Sequence, residues 1–162
     1  MNVLFPAQAD NRILGSKVPF YAFMLIAIIG SIRSCIHMLA HDAGLSSIAG
    51  LDLNISGAKD VVFFCSQWGA EQLIYVLIQW IVIIRYRSLI PVMWLIQFLE
   101  TFLRMFIAHI KPITFMHTPP GAIEDKIYLP LSLGMAIYAL LSAGRDQSTE
   151  IVSEDLSKPR RS

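Results

Sequence analysis

The sequence predicts an all-α integral membrane protein, a bundle of four transmembrane helices. Hydrophobic residues make up 55% of its 162 residues and charged residues only 15%, whereas soluble domains have about 45–50% and about 25%. Four separate stretches supply the roughly 20 largely apolar residues that one bilayer crossing needs. The length suits one domain rather than two. A soluble fold is excluded because too little charge remains to cover its surface.

The four spans follow one another with short polar connections. Pro19 and Pro91 fall in the first turn of spans one and three, where a missing N–H costs no helical hydrogen bond. Pro112 and the HTPPG stretch at 117–121 end the third span. The predicted spans are Val18 to about Leu39, about Val61 to Ile84, Leu89 to about Ile110, and Ile127 to about Ala143.

The remaining segments flank this transmembrane domain, 18–143. Residues 1–17 are a short N-terminal segment, and residues 144–162 are a polar tail whose composition predicts disorder. Segment 43–57 is too short to span and is predicted to be a loop or a short interfacial helix. Lys and Arg are concentrated on the side of the bundle that holds both termini. The positive-inside rule therefore predicts a plasma or inner membrane protein with both termini in the cytoplasm.

Three of the spans carry polar residues at bilayer depth, where charge is costly. A spacing of four residues places each pair on one helix face, and a rise of 1.5 Å per residue puts the charged ones at similar depths, roughly 17–23 Å. We expect an inward-facing Arg/Glu network of cancelling charge, sealed by a fourth helix that offers only hydroxyl groups. The candidate residues are Arg33 and His37 on span one, Gln67 and Glu71 on span two, and Glu100 and Arg104 on span three.

This network has two interpretations. It is either a structural clasp that fixes helix register, or an outward-facing polar pocket that binds a lipidic or amphiphilic ligand. The pocket suits a protein that works alone or as an accessory subunit of a membrane complex. One alternative is a membrane enzyme acting on a lipid or quinone, with Glu71 or Glu100 as acid or base. Another is a small proton-coupled transporter, which neutral Arg/Glu pairing disfavours.

No metal site or cofactor is predicted, although three histidines are weak candidates. His37 and His41 share one helix face, as zinc ligands can, and His109 at the height of His37 makes a bis-His haem conceivable. Cys35 and Cys65 form no zinc pattern and are predicted to be inert thiols, at depths similar enough to allow a bridge. Nucleic acid is excluded as a partner because the net charge is only +1.

One resemblance covers about residues 61–143. The polar start of span two (QWGAEQLIY), the RYR turn and the arginine late in span three (ETFLRMF), within a four-helix chain of this size, resemble the small DoxX-like membrane proteins. The resemblance implies a four-helix membrane fold and, for some members, an association with quinol oxidation. It carries no catalytic residue over to this chain.

Overall fold

The computed structural model describes residues 4–6 and 8–157, with side chains as far as Arg145. The described residues form four long helices and no strand. Each helix has a stretch long and apolar enough to cross a bilayer, so the chain is a multi-pass integral membrane protein and the predicted fold class is confirmed. The helices are α1 (Val18–Leu39), α2 (Ala58–Arg85), α3 (Ile90–Ile110) and α4 (Pro120–Ser157).

The first three helices lie close to their predicted bounds. Proline stands in the first turn of both α1 and α3, where its fixed φ favours helix initiation. A one-turn 3-10 helix at Arg87–Leu89 leads directly into α3 and makes the α2–α3 connection short. α2 begins at Ala58 rather than Val61, because its first turn is helical before the apolar stretch begins.

Both ends of α4 differ from the prediction. The helix begins at Pro120 rather than Ile127 and continues to Ser157. The prediction of a disordered tail is therefore wrong for residues 144–157, while residues 158–162 lie outside the described part. Hydropathy detects the apolar part of a helix, but backbone hydrogen bonding does not end where apolar residues end. After Gly144 no glycine or proline interrupts the chain as far as Ser157.

The helices pack as two pairs, with α1 mainly against α2 and α3 mainly against α4. The apolar core fills the end of the bundle that holds the α2–α3 turn, called here the turn end. Trp94 is fully buried there, its indole donates to Pro19 O at 3.1 Å, and its ring meets Phe23 edge to face at 5.4 Å. Ile26, Val82 and Ile83 belong to the same buried cluster.

The N-terminal segment lies across the turn end. Asp10 N donates to Ser88 Oγ at 2.9 Å, and Ser88 N donates back to Asp10 O at 3.2 Å. Farther along, Ser16 N donates to Ser142 Oγ on α4 at 3.2 Å. The segment thus ties the α2–α3 turn to α4.

The opposite end of the bundle, called here the loop end, carries the connections 40–57 and 111–119. Asp42 organises the first of them, since its carboxylate accepts hydrogen bonds from the backbone N–H groups of Gly44, Ser46 and Ser47. These bonds, that of Ser47 foremost, lower the pKa of Asp42 to about 2. The segment predicted as a loop or interfacial helix is a compact series of turns over residues 41–49.

Candidate functional site

A cavity of about 50 Å³ lies between the two helix pairs, and all four helices contribute to its wall. It begins beyond the apolar core and extends toward the loop end. α1 and α2 supply its apolar part through Ile26, Gly30 and Val76. Its polar lining consists of Arg33, Ser34, Gln72, Tyr75, Gln79, Gln97, Glu100, Arg104, Glu124 and Tyr128.

Three ion pairs hold the loop end of this cavity. Arg33 Nη1 on α1 lies 3.1 Å from Glu124 Oε2 on α4. Arg104 on α3 binds two carboxylates, with Nη1 3.0 Å from Glu100 Oε1 and Nη2 2.5 Å from Asp125 Oδ1. All five side chains are at least two-thirds buried. The arginines are therefore paired, as charges at this depth require.

The participation of α4 corrects one expectation. The fourth helix was predicted to seal the bundle, but Glu124 and Asp125 supply two of the three carboxylates. They were assigned to a loop because the charged stretch 120–126 lies outside the apolar window. The structure instead places this stretch in the first two turns of α4, level with Arg33 and Arg104, so that both carboxylates face the arginines.

The network does not balance in charge. The carboxylates of Glu100, Glu124 and Asp125 face only two guanidinium groups. The predicted cancellation of charge is therefore wrong for the residues that meet in the structure, and carboxylate is in excess by one group. That excess makes the binding of an anionic ligand in this cavity unfavourable.

A ladder of amide contacts continues the network toward the turn end. Glu100 Oε2 accepts from Gln97 Nε2 at 3.1 Å, and Gln97 Oε1 accepts from Gln79 Nε2 at 3.0 Å and from Tyr75 Oη at 3.4 Å. Gln79 and Gln97 are 2% and 5% exposed. The ladder joins α2 to α3 across the gap between the two helix pairs. Gln79 and Tyr75 were not among the residues expected in the network.

Three buried polar atoms of the cavity wall have no hydrogen-bond partner among the described residues. They are Gln79 Oε1 on α2, Arg104 Nε on α3 and the Tyr128 hydroxyl on α4. A buried polar atom without a partner costs about 1–3 kcal/mol, and such atoms in folded proteins are few. Because three of them surround one cavity, they indicate that the cavity suits a polar ligand.

The predicted contribution of α2 is wrong. Glu71 and Gln67 are exposed on the outside of the bundle, and no described residue forms an ion pair or hydrogen bond with either side chain. α2 instead turns Gln72, Tyr75 and Gln79 toward the cavity. Both sets have helical spacing, and the pattern alone could not show which of the two faces the neighbouring helices cover.

His37 is part of the network through Arg33. Arg33 Nε donates to His37 Nε2 at 3.4 Å, and His37 Nδ1 lies 2.8 Å from Ala43 O. These contacts suit the tautomer with the proton on Nδ1, which leaves neither ring nitrogen free for a metal. The guanidinium of Arg33 also stacks over the Trp68 ring at 5.5 Å. His37 thus orients Arg33.

The other weak candidates remain apart from the cavity. His41 and His109 are exposed, and no three His, Cys, Asp or Glu side chains in the described part of the chain are grouped as metal ligands. Cys35 and Cys65 are both free thiols, with Cys35 exposed. Cys65 Sγ lies 3.8 Å from His37 Nδ1, so its nearest polar neighbour is a ring nitrogen rather than Cys35.

No protein-family model, curated protein or solved structure matches the chain. The residues and geometry of the cavity are therefore the basis for a functional proposal.

Proposed function

We propose that this chain is a membrane protein that binds a neutral amphiphilic molecule, with the polar head of that molecule seated in the cavity between the two helix pairs. The observation that carries the proposal is the set of three unpartnered atoms, Gln79 Oε1, Arg104 Nε and the Tyr128 hydroxyl. Two of them can donate and one can only accept. A head group with a hydroxyl and a second oxygen would satisfy all three.

The charge of the wall favours a neutral head group. Three carboxylates already face two guanidiniums, so a phosphate or a free carboxylate would add repulsion in a poorly solvated site. A hydroxyl, ester or quinone-type oxygen avoids this cost and can accept from Arg104 or Tyr128. The ligand class we propose is a glycerol ester, sterol or quinol rather than an acidic phospholipid.

The size of the cavity supports an amphiphile whose head alone enters. About 50 Å³ corresponds to roughly three or four water molecules, whereas sites that enclose a whole drug-sized ligand have about 300–1,000 Å³. The apolar remainder of the ligand would lie against the helices and the surrounding lipid. A water-soluble metabolite would gain nothing from such an arrangement.

The proposal includes an orientation of the chain in the membrane. Both termini face the cytoplasm of a plasma or inner membrane, as the distribution of Lys and Arg indicates. The cavity then lies nearer the outer leaflet, since its ion pairs are close to the loop end. An accessory role in a larger membrane complex is compatible with this arrangement, and the DoxX-like resemblance, with its link to quinols, stays a prediction.

One observation favours a second function, proton-coupled transport. Neutral pairing of Arg and Glu was the argument against it, but the network has one carboxylate more than its two guanidiniums can neutralise. Such a group can take up and release a proton while both arginines stay paired.

For the alternative of a membrane enzyme, Glu71 and Glu100 were the candidate acid or base. Only Glu100 lines the cavity, because Glu71 is exposed.

Mass spectrometry of the purified protein tests the proposal. The full chain is extracted in a mild detergent, and co-purifying small molecules are quantified for the parent, for Tyr128→Phe and for Tyr138→Phe. Tyr138 is a matched control because it lies on α4, outside the cavity, and is 44% exposed. We expect one neutral amphiphile near equimolar amounts in the parent and the control, and severalfold less in Tyr128→Phe. Equal amounts in all three, or none in the parent, would overturn the proposal.

A further inference from the structure

We infer that the outer face of α2 is the interface with a second copy of this chain. This face, called here the α2 seam, carries two polar residues at bilayer depth among large apolar ones. Phe64 and Ile74 are 67% and 61% exposed, and Ile78 and Ile81 about half exposed. The seam consists of Phe64, Gln67, Glu71, Ile74, Ile78 and Ile81. The inference is independent of what the cavity binds.

Glu71 lies at bilayer depth on the outer face of α2. It lies fourteen residues before Arg85 at the end of α2, about 21 Å from the turn end at 1.5 Å per residue. That is the depth of Arg33, well inside the hydrocarbon core of the bilayer. No described residue pairs with the Glu71 carboxyl or the Gln67 amide. A carboxyl facing hydrocarbon is costly, and intramembrane acids normally face protein or water.

The rest of the bundle leaves most of α2 uncovered. Only 11% of the residues in the apolar, membrane-spanning stretch of α2 are buried inside the chain. The buried share of the corresponding stretch is 22% in α1 and α4 and 33% in α3. α2 is thus the helix that the bundle covers least. A polar pair on that helix indicates that another protein surface, rather than lipid, covers it.

The residues of the seam have the spacing of a helix-pairing face. Its members alternate three and four residues apart, which is the repeat that packs knobs into holes in a left-handed helix pair. Transmembrane helices commonly associate in this geometry, and amide and carboxyl side chains hydrogen-bond across such interfaces. Polar residues at seam positions fix the register of the two helices.

A second copy supplies the complementary groups. In a parallel two-fold pair with its axis along the membrane normal, the Gln67 amide of each copy can donate to the Glu71 carboxyl of the other. One donor and one acceptor per chain then make two equivalent hydrogen bonds, as an isologous interface requires. This symmetry also keeps both copies in the same orientation in the bilayer.

Cysteine cross-linking of the full chain in liposomes tests the inference. In a Cys35→Ser, Cys65→Ser background, Ile74→Cys places a thiol in the seam, where the two Cα atoms come within about 7 Å, as a disulfide needs. Leu77→Cys is the matched control, since it lies at nearly the same depth, is 54% exposed and only flanks the seam, where the two Cα atoms are too far apart for a disulfide. We expect covalent dimers from Ile74→Cys after mild oxidation and monomers from Leu77→Cys.

Polar contacts are tested by counting photobleaching steps of labelled protein at increasing dilution in lipid. Glu71→Leu should weaken dimerisation about 5- to 30-fold, and Glu71→Gln should keep most of it. Monomers at every dilution, equal cross-linking at Ile74→Cys and Leu77→Cys, or a tighter dimer in Glu71→Leu would overturn the inference. So would a cross-link from Ile74→Cys in native membranes that joins a different protein and never a second copy.

Discussion

Arg33 on α1 and Glu124 on α4 form an ion pair of 3.1 Å that joins the first helix to the last. The contact crosses the cavity wall between the two helix pairs, which touch each other far less than the helices within each pair do. Polar contacts therefore determine how the pairs sit against each other at the loop end, while Trp94 and its apolar neighbours do so at the turn end.

Arg104 should be the most sensitive residue of the network. Arg104→Ala removes the partner of Glu100 and Asp125 together, and we expect a loss of about 3–5 kcal/mol in the free energy of unfolding, because buried charge is left unpaired. Thermal unfolding in detergent measures it. Adding Asp125→Ala should recover part of the loss, whereas adding Glu71→Ala should recover none. Recovery by Glu71→Ala would contradict the exposed position of that residue.

Gly69 on α2 should tolerate no side chain. A Cβ there would lie 2.7 Å from His37 Cβ and from Met38 N on α1, so Gly69→Ala should destabilise the bundle by about 1–3 kcal/mol through overpacking. Gly134→Ala on α4 is the matched control, because a Cβ there meets nothing within 4 Å, and better helix propensity should make it neutral or stabilising by up to about 1 kcal/mol. Melting temperatures of the two variants decide the matter. A Gly69→Ala variant as stable as Gly134→Ala would show that α1 and α2 are farther apart.

The Asp42 turn should make a pH-dependent contribution to stability. Hydrogen bonds to the carboxylate lower its pKa from 3.8 to about 2 in the folded protein. The contribution is therefore fully present above about pH 4 and is lost as the pH falls through about 2. We expect Asp42→Asn to be less stable than the parent by a constant amount at neutral pH, with the difference shrinking below pH 4. A difference that grows on acidification would have the wrong sign.

Topology is open to a direct test. Single cysteines are placed in a background without Cys35 and Cys65 and labelled with a membrane-impermeant maleimide from either side. We expect Asp52→Cys, in the α1–α2 connection, to react from outside and Arg145→Cys from the cytoplasmic side. If Asp52→Cys reacts only from the cytoplasm, the orientation derived from Lys and Arg is reversed.

Much of the fold could be predicted from the sequence, because a bilayer span has a fixed length and must be apolar. α1 and α3 match their predicted spans within a residue. The misplaced start of α4 has a physical reason: Glu124 and Asp125 lower the local hydropathy, yet a charged helical turn is tolerated where arginines of neighbouring helices pair with it. Hydropathy along one segment carries no information about those neighbours.

The candidate site was predicted only in part, for a related reason. Arg33, Glu100 and Arg104 line one cavity, and His37 contacts Arg33, but the partner of Arg33 is Glu124 rather than a predicted glutamate. α2 has two polar stripes, and the one formed by Gln67 and Glu71 was predicted to face inward. Gln72, Tyr75 and Gln79 line the cavity instead. Which stripe faces inward depends on the packing of α2 against α1 and α3, and no periodicity within α2 records it.

The central claim is that the cavity binds a ligand rather than only clasping the helices, and one variant tests it most directly. Arg104→Ala with Asp125→Ala removes one charge of each sign, which leaves the net charge of the network unchanged and restores part of the stability. Mass spectrometry then quantifies the neutral amphiphile in this variant and in the parent, both purified as folded protein. We predict a folded variant that has lost most of its bound amphiphile, because Arg104 Nε no longer lines the cavity. A folded variant that retains as much amphiphile as the parent would contradict the claim and leave the network as a structural clasp.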